Sequence, residues 1–239
     1  MSVENCLKKY NFTRKGFNKM FQLKNEELLN TQKNKSHYFI TVAGNVGAGK
    51  STLTRMVGEK LGFDTHYEKV DGNPYLGDFY NDQKKWGFHL QLYFLSQRFK
   101  QQEEIYKNGR NNIQDRSIYE DVEIFAKNLN ENKLMNDRDF DTYKDLFYDL
   151  TKHLQKPDLM IYLTGSIDKV LERINHRGRD VEKSVDIEYW KALHNRYENW
   201  IPNYNLSPVL YVNIDKIDIV ENPEHLDLLC DEIKKILNI

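Results

Sequence analysis

The chain has 239 residues, enough for one large α/β domain with an appendage. Its formal net charge of -1 provides no global field toward nucleic acid or a membrane surface, and no apolar run is long enough to span a bilayer. Aromatic residues make up 13%, ample for a core and for stacking on a planar ligand, while Cys6 and Cys230 match no metal spacing and read as reduced thiols of a soluble intracellular protein.

Residues 1–36 differ from the rest in composition, with eight Lys/Arg against three Glu and much Asn. A mitochondrial transit peptide is one reading, but Arg14 is the sole arginine, Glu4 comes early and serine is scarce. An N-terminal extension, mobile or docked as a tail, is favoured, with the main domain spanning residues 37–239 and the protein cytoplasmic.

Tyr38 to Ala43 is a short β-branched and aromatic run that reads as a strand. It leads into Gly44-Asn45-Val46-Gly47-Ala48-Gly49-Lys50-Ser51-Thr52, and a helical pattern follows through Leu53, Met56, Val57 and Leu61. Strand, glycine-rich turn and helix form the context in which G-x-x-x-x-G-K-[ST] is a phosphate site rather than a plain turn. The glycines allow a tight turn that aims backbone N–H groups at one anion, and the helix adds its positive end. Lys50 is expected at the outer phosphates and the Ser51 hydroxyl on Mg²⁺. The stretch therefore predicts binding of a nucleoside triphosphate.

Gly62 ends this helix. Phe63 to Val70 reads as a second strand with Glu68 near its C-terminal end, and Asp71-Gly72-Asn73-Pro74 is a turn. Leu76, Phe79, Tyr80, Trp86, Leu90, Tyr93 and Phe94 recur at helical spacing across 76–107, long enough for two helices or one bent one. A third strand at Ile113-Gln114 ends in Asp115-Arg116-Ser117, and helices are predicted over 118–129 and 139–154. Asp158 to Leu163 reads as a strand buried on both faces. Ser166 is an N-cap for a helix over 167–176, and a charged stretch from Arg177 to Asp186 is not core. A helix over 187–201, a fifth strand at 209–214 and a helix over 223–237 complete the chain. The expected fold is α/β, a five-stranded parallel, doubly wound sheet flanked by helices, with its ligands at the carboxyl ends of the strands.

Phosphoryl transfer beyond the loop needs a group to place the acceptor, a group to take its proton, and positive charge on the moving phosphoryl. Glu68 is placed to accept a hydroxyl proton, Asp115 to hold Mg²⁺ or its waters, and Arg116 to bridge acceptor and phosphate. Arg173, Arg177 and Arg179 form a cationic segment able to close over phosphates, although a solvated helix end reads the same way. Gln91 and Arg98 share one helical face and Asp121 and Phe125 another. Together they make a socket for a nucleobase, with amide and charges on its edge and a ring on its plane. Without the phosphate loop, Gln91 and Arg98 would sooner read as decoration of an exposed helix and Phe125 as core.

With these pieces in place the chain resembles the deoxyribonucleoside kinases, from about Phe39 to the last helix. The shared pieces are the phosphate loop, His66-Tyr67-Glu68-Lys69-Val70, Trp86 to Arg98 as W-x-F-x-x-Q-x-x-x-x-x-x-R, Asp115-Arg116-Ser117-Ile118-Tyr119-Glu120-Asp121, and Arg177-Gly178-Arg179-x-x-Glu182. Asn73-Pro74-Tyr75-Leu76 and Phe88-His89-Leu90-Gln91 are similar to the bacterial-type deoxyadenosine/deoxyguanosine kinase branch. The resemblance implies a P-loop kinase fold with an arginine-rich lid of Arg173, Arg177 and Arg179, using ATP and Mg²⁺. It implies Glu68 as general base on the 5′-hydroxyl beside Arg116, Tyr80 and Glu182 on the 3′-hydroxyl, and Gln91 and Phe125 on the base. Trp86 would wall the pocket, and Arg98 with Asp121 would read the far edge of adenine, guanine or cytosine. A homodimer through segments 76–107 and 139–154 is implied as well. The chain departs from the family pattern in Lys69, where proline is common, and in Asp115, which is glutamate in some members; neither change removes a functional group.

Three other readings are weaker. A regulatory GTPase should carry Asn-Lys-x-Asp, and Asn213-Ile214-Asp215-Lys216 has the wrong order. A nucleoside monophosphate kinase would leave Glu68 no hydroxyl proton to remove. A silent structural subunit with this fold would have no need of Lys50, Ser51, Glu68 and Arg116. The expected reaction is phosphorylation of a purine deoxynucleoside, deoxyadenosine ahead of deoxyguanosine or deoxycytidine.

Overall fold

A computed structural model describes residues 13–32, 35–70, 72–179 and 185–239. The apolar runs pair into one sheet of β1 (Phe21–Lys24), β2 (Phe39–Gly44), β3 (Asp64–His66), β4 (Asn112–Asp115), β5 (Leu159–Thr164) and β6 (Val209–Asn213). Their order is β1-β6-β5-β2-β4-β3. The five expected strands are parallel to their neighbours, and β1 adds a sixth that runs antiparallel to β6. The sheet is thus six-stranded and mixed rather than five-stranded and parallel. β2 is buried at every position, which is why its sequence is apolar without alternation.

The extra strand comes from the segment expected to be an extension. Helix α1 (Arg14–Met20), capped by the Thr13 hydroxyl, leads into β1, and Phe17, Met20 and Phe21 bury their side chains in the main core. Only four residues form this edge strand, too few for their alternation to stand out from a basic tail. Phe21→Ala should lower unfolding free energy by about 3–5 kcal/mol, as for a buried phenylalanine, while activity per folded molecule is unchanged. Urea denaturation beside a turnover assay checks both halves.

The second strand stops at His66, short of Val70, so Glu68 lies in the connection beyond β3. Its ladder on β4 pairs Asp64, Thr65 and His66 with Asn112, Ile113 and Gln114. One residue past the end of β4, Arg116 turns into the left-handed region, at φ 72, and pairing cannot continue.

The flanking helices are α2 (Lys50–Leu61), α3 (Leu76–Asn81), α4 (Gln83–Asn108), α5 (Ile118–Glu120), α6 (Lys127–Glu131), α7 (Asp137–Thr151), α8 (Ile167–Arg177), α9 (Ile187–Trp200) and α10 (Pro223–Leu237). The 76–107 pattern divides at Asp82, whose extended backbone breaks the helix and whose carboxylate caps α4 at the Lys85 N–H. The helix expected over 118–129 carries a π-helical turn at Asp121–Ala126, a widening often found at functional sites. Ser166 caps α8 as expected. Helix α2 lies close against β3: a methyl at Gly58 would sit 2.2 Å from Thr65 Cγ2.

Two apolar clusters result. One surrounds the sheet with α2, α8, α9 and α10, and the other joins α3, α4, α5 and α7 through Phe79, Leu90, Leu95, Tyr143 and Phe147. Cys230 is buried in the first; Cys6, Asp71 and residues 180–184 of the charged stretch, Glu182 included, lie outside the described residues. No described helix is long and apolar enough to cross a membrane.

Candidate active site

The loop between β2 and α2 sits where the chain order reverses between β4 and β5 on either side of β2, the switch point of a doubly wound sheet. Gly47 adopts φ +80 and presses on α8, where a methyl would meet Ile174 Cγ1 at 2.6 Å. Asn45 ties the loop to α9 by donating from Nδ2 to the Trp190 carbonyl at 3.2 Å, and its Oδ1 accepts from the Val46 N–H. Arg173 of α8 donates to the Ala48 carbonyl at 2.8 Å. Lys50 is folded back, its Nζ donating to the carbonyls of Gly44 and Asn45 at 3.0 and 2.9 Å. A cavity of about 660 Å³ opens over this loop, with Gly49, Lys50, Ser51, Thr52, Arg173, Arg177 and Arg179 on one side and the Ile217–Glu221 segment on the other.

Ser51 donates its hydroxyl to Asp115 Oδ2 at 2.5 Å, and Asp115 Oδ1 is buried with no hydrogen-bond partner. A serine hydroxyl beside a carboxylate with a spare oxygen is a donor set that fits a hard divalent cation whose other ligands are phosphates and water. Among the described residues no group of three or more His, Cys, Asp or Glu is placed to hold a metal.

A second cavity, of about 250 Å³, runs from Lys50 and Ser51 between the two apolar clusters. Glu68, Tyr80, Gln91, Arg116, Asp121 and Phe125 all line it, as do Arg177 and Arg179. Arg98 is buried behind them and pairs with Glu68 at 2.9 Å through Nη2 and with Asp121 at 2.8 Å through Nε. Arg116 Nε stands 3.0 Å from the same Glu68 oxygen without hydrogen-bond alignment, and its guanidinium lies 4.5 Å over the Phe125 ring. Apolar walls come from Leu76, Phe79, Leu90 and Phe94, and Tyr189 closes another side. Trp86 is not among the lining residues; it stacks in a cluster with Tyr75 and His89, at ring distances of 6.0 and 5.4 Å.

Charge and burial pull against each other here. Burial raises the Glu68 carboxyl, but Arg116, Arg98 and Lys50 outweigh it and hold the group at about 2. Asp121 goes the other way: burial lifts it to about 6 against the attraction of Arg98. Burial, aided by Arg116, lowers Lys50 to about 8. Arg116 stays charged because Glu68, Tyr197, Glu120 and Asp115 more than offset its burial. A left-handed non-glycine residue costs about 1–3 kcal/mol, so contacts must hold Arg116 in place.

Two of those contacts were not expected from the sequence. Glu120, fully buried, takes the Ser117 N–H at 2.6 Å and faces the Arg116 guanidinium, and the Tyr197 hydroxyl of α9 joins both. Ser117-x-x-Glu120 is a capping pattern and was a readable signal for Glu120. Tyr197 sits 81 residues after Arg116 in mid-helix, and nothing local marks it.

The family model described as deoxynucleoside kinase matches residues 40–238, leaving β1 outside. The chain is 45% identical over 201 residues to a deoxyadenosine/deoxycytidine kinase of Bacillus subtilis, spanning 83% of this chain and 93% of that one. It is 46% identical over 175 residues to a deoxyadenosine kinase of Dictyostelium discoideum, 73% and 71% of the two chains. Among solved structures, deoxyadenosine kinase from M. mycoides with bound dATP superposes with TM-score 0.73 at 32% identity, over 83% of this chain and all (100%) of that one.

Proposed function

The chain belongs to the deoxynucleoside kinase family, and from that premise we propose that it moves the γ-phosphoryl group of ATP to the 5′-hydroxyl of a purine deoxynucleoside, deoxyadenosine first. The observation that carries the reading is the Glu68 carboxylate, held between Arg98 and Arg116 in a cavity that also exposes Lys50. ATP belongs over the phosphate loop with its phosphates toward Lys50, Arg173, Arg177 and Arg179. The acceptor belongs in the smaller cavity with its 5′-hydroxyl toward Glu68. Arg116 then sees both the hydroxyl and the incoming phosphoryl, and its unaligned Nε–H is available to either.

The base fits beyond the sugar, its plane against Phe125, its edge toward Gln91 and the Arg98–Asp121 pair. Tyr80, and Glu182 from outside the described residues, are assigned to the 3′-hydroxyl. When bound, Mg²⁺ on Ser51 and Asp115 would neutralise phosphate charge. Relatives named for deoxyadenosine, at 37–46% identity, stand ahead of those named for deoxyguanosine, at 30–36%, which supports placing deoxyadenosine first; one of the former is named for deoxycytidine as well.

A homodimer through α4 and α7 agrees with the exposure of Tyr106, Leu146 and Tyr148 on those helices. The building of α1 and β1 into the sheet favours a cytoplasmic protein over one that loses residues 1–36 as a transit peptide, because cleavage would strip a strand from the edge.

The test is ATP consumption with Mg²⁺ against deoxyadenosine, deoxyguanosine, deoxycytidine, thymidine and adenosine in parallel. Deoxyadenosine should lead; silence with all five while ATP still binds would turn the assignment to an inactive structural subunit. In the same panel, Arg98→Val with Asp121→Ala should raise thymidine over deoxyadenosine by about tenfold or more, because the hydrogen-bonding edge is gone. Removing both leaves neither Arg98 nor Asp121 buried without the other, and Glu68, which loses Arg98, still faces Arg116. An unchanged ranking would show that the base is read elsewhere.

A further inference from the structure

Arg116 is held in a conformation that its own backbone disfavours, and the groups that hold it are chemically specific. Its Nη1 donates to the Tyr197 hydroxyl at 2.8 Å and lies 3.3 Å from Glu120 Oε1. The Tyr197 hydroxyl in turn donates to the same Glu120 oxygen at 2.6 Å, so the hydroxyl uses both its donor and an acceptor lone pair. Glu120 reaches further: Oε2 takes the Ser117 N–H at 2.6 Å, and Oε1 lies 3.4 Å from the N–H of Gly44, the first residue of the phosphate loop. Both side chains are fully buried, and neither lines the acceptor cavity.

A guanidinium is a planar fork, so fixing two of its nitrogens fixes its plane. Tyr197 and Glu120 take Nη1 at one end, Glu68 faces Nε at the other, and the Phe125 ring supports the face. Tyr197 cannot itself wander, because its ring stacks on Tyr162 at 6.0 Å and 22°. Its helix, α9, follows residues 180–184 and is bonded to the loop through Asn45 and the Trp190 carbonyl.

We propose that Tyr197, acting with Glu120, is a positioning residue that aims the Arg116 guanidinium at the transferred phosphoryl group and sets it relative to the phosphate loop. The inference rests on the role given to Arg116 above. Tyr197 touches no reacting atom; it acts through Arg116, and errors of about 1 Å in such a group cost about a hundredfold in rate.

The test is a double-mutant cycle. Tyr197→Phe keeps the ring and removes only the hydroxyl, and should lower kcat about tenfold with KM for ATP and for deoxyadenosine within about twofold. Arg116→Lys should lower kcat by about a hundredfold or more, and adding Tyr197→Phe to it should cost less than about twofold further. A purely structural hydroxyl would lower the thermal midpoint and cost the same factor in both backgrounds; that result, or an unchanged kcat in Tyr197→Phe, overturns the proposal. If Arg116→Lys is as active as wild type, the role of Arg116 fails first; if it is impaired and Tyr197→Phe is not, only this inference fails. Glu120→Gln runs through the same cycle with the same expectations, and carries it if Tyr197→Phe does not fold.

Discussion

Glu68→Gln is expected to lower kcat by about 10²–10⁴-fold while leaving ATP affinity nearly unchanged, the range for loss of a general base. The substitution is close to isosteric and Glu68 does not line the ATP cavity, so donor binding has little reason to move. The acceptor side loses two things at once. One is the carboxylate that meets a hydroxyl beside Lys50 and Arg116; the other is the charge that both arginines face. Held at about 2 in the free protein, Glu68 is ionised throughout the working pH range and always ready to accept. So low a value makes it a weak base, although burial works in the opposite direction and raises it. The loose transition state of phosphoryl transfer asks little of a base, so positioning of the hydroxyl accounts for part of the loss. Asp121 should give kcat/KM for the deoxynucleoside an acid limb near pH 6, because it takes up a proton as the pH falls through about 6 and then no longer pairs as an anion with Arg98. That limb should persist in Glu68→Gln but move to lower pH, because the Glu68 charge that helps to raise Asp121 is gone. Near wild-type turnover in this variant would remove Glu68 from the mechanism.

The residues of the site were legible wherever local chemistry dictates local geometry. A glycine-rich turn between an apolar run and a helix admits few conformations, so the phosphate loop could be placed from its own letters. Residues at helical spacing share a face whatever the helix packs against, which is why Gln91 was paired with Arg98 and Asp121 with Phe125. What stayed hidden depends on contacts distant in the chain. Arg98 is buried between Glu68 and Asp121 rather than lining the cavity, and only the packing of α4 on the loop after β3 reveals that. Trp86 was expected in the wall from the resemblance alone, yet it lies five residues from Gln91, well off its face of the helix, and turns toward Tyr75. β1 was invisible for a different reason: an edge strand of four residues is stabilised by β6, 185 and more residues away, and carries no pattern of its own. Tyr197 is the sharpest case, a buried tyrosine whose hydroxyl matters only because of where Arg116 and Glu120 stand.

Lys50→Met should reduce kcat/KM for ATP by about 10²–10³-fold or more, since it removes a fixed positive charge from the phosphates. The free protein shows what that charge waits against: Nζ rests on the Gly44 and Asn45 carbonyls, contacts it exchanges for phosphate oxygens when ATP arrives. Burial, with Arg116 nearby, has lowered the ammonium to about 8. The sign of the pH effect follows. Below pH 8 the free enzyme already carries the charge that ATP needs; above it the lysine is neutral, and ATP must bind together with a proton. The dissociation constant for ATP should therefore rise about tenfold for each pH unit above 8, until the pH approaches the higher value that phosphate imposes on the bound lysine. In Lys50→Met binding should be weak and flat across the same range, because the titrating group is gone. Thermal shift with ATP from pH 7 to 10 reads both, since the stabilisation by a ligand grows with the logarithm of its concentration over its dissociation constant. A wild-type shift that does not fall above pH 8 would mean that Lys50 keeps its proton in the free protein, and that the neighbouring carboxylates of Asp115, Glu120 and Glu68 outweigh its burial.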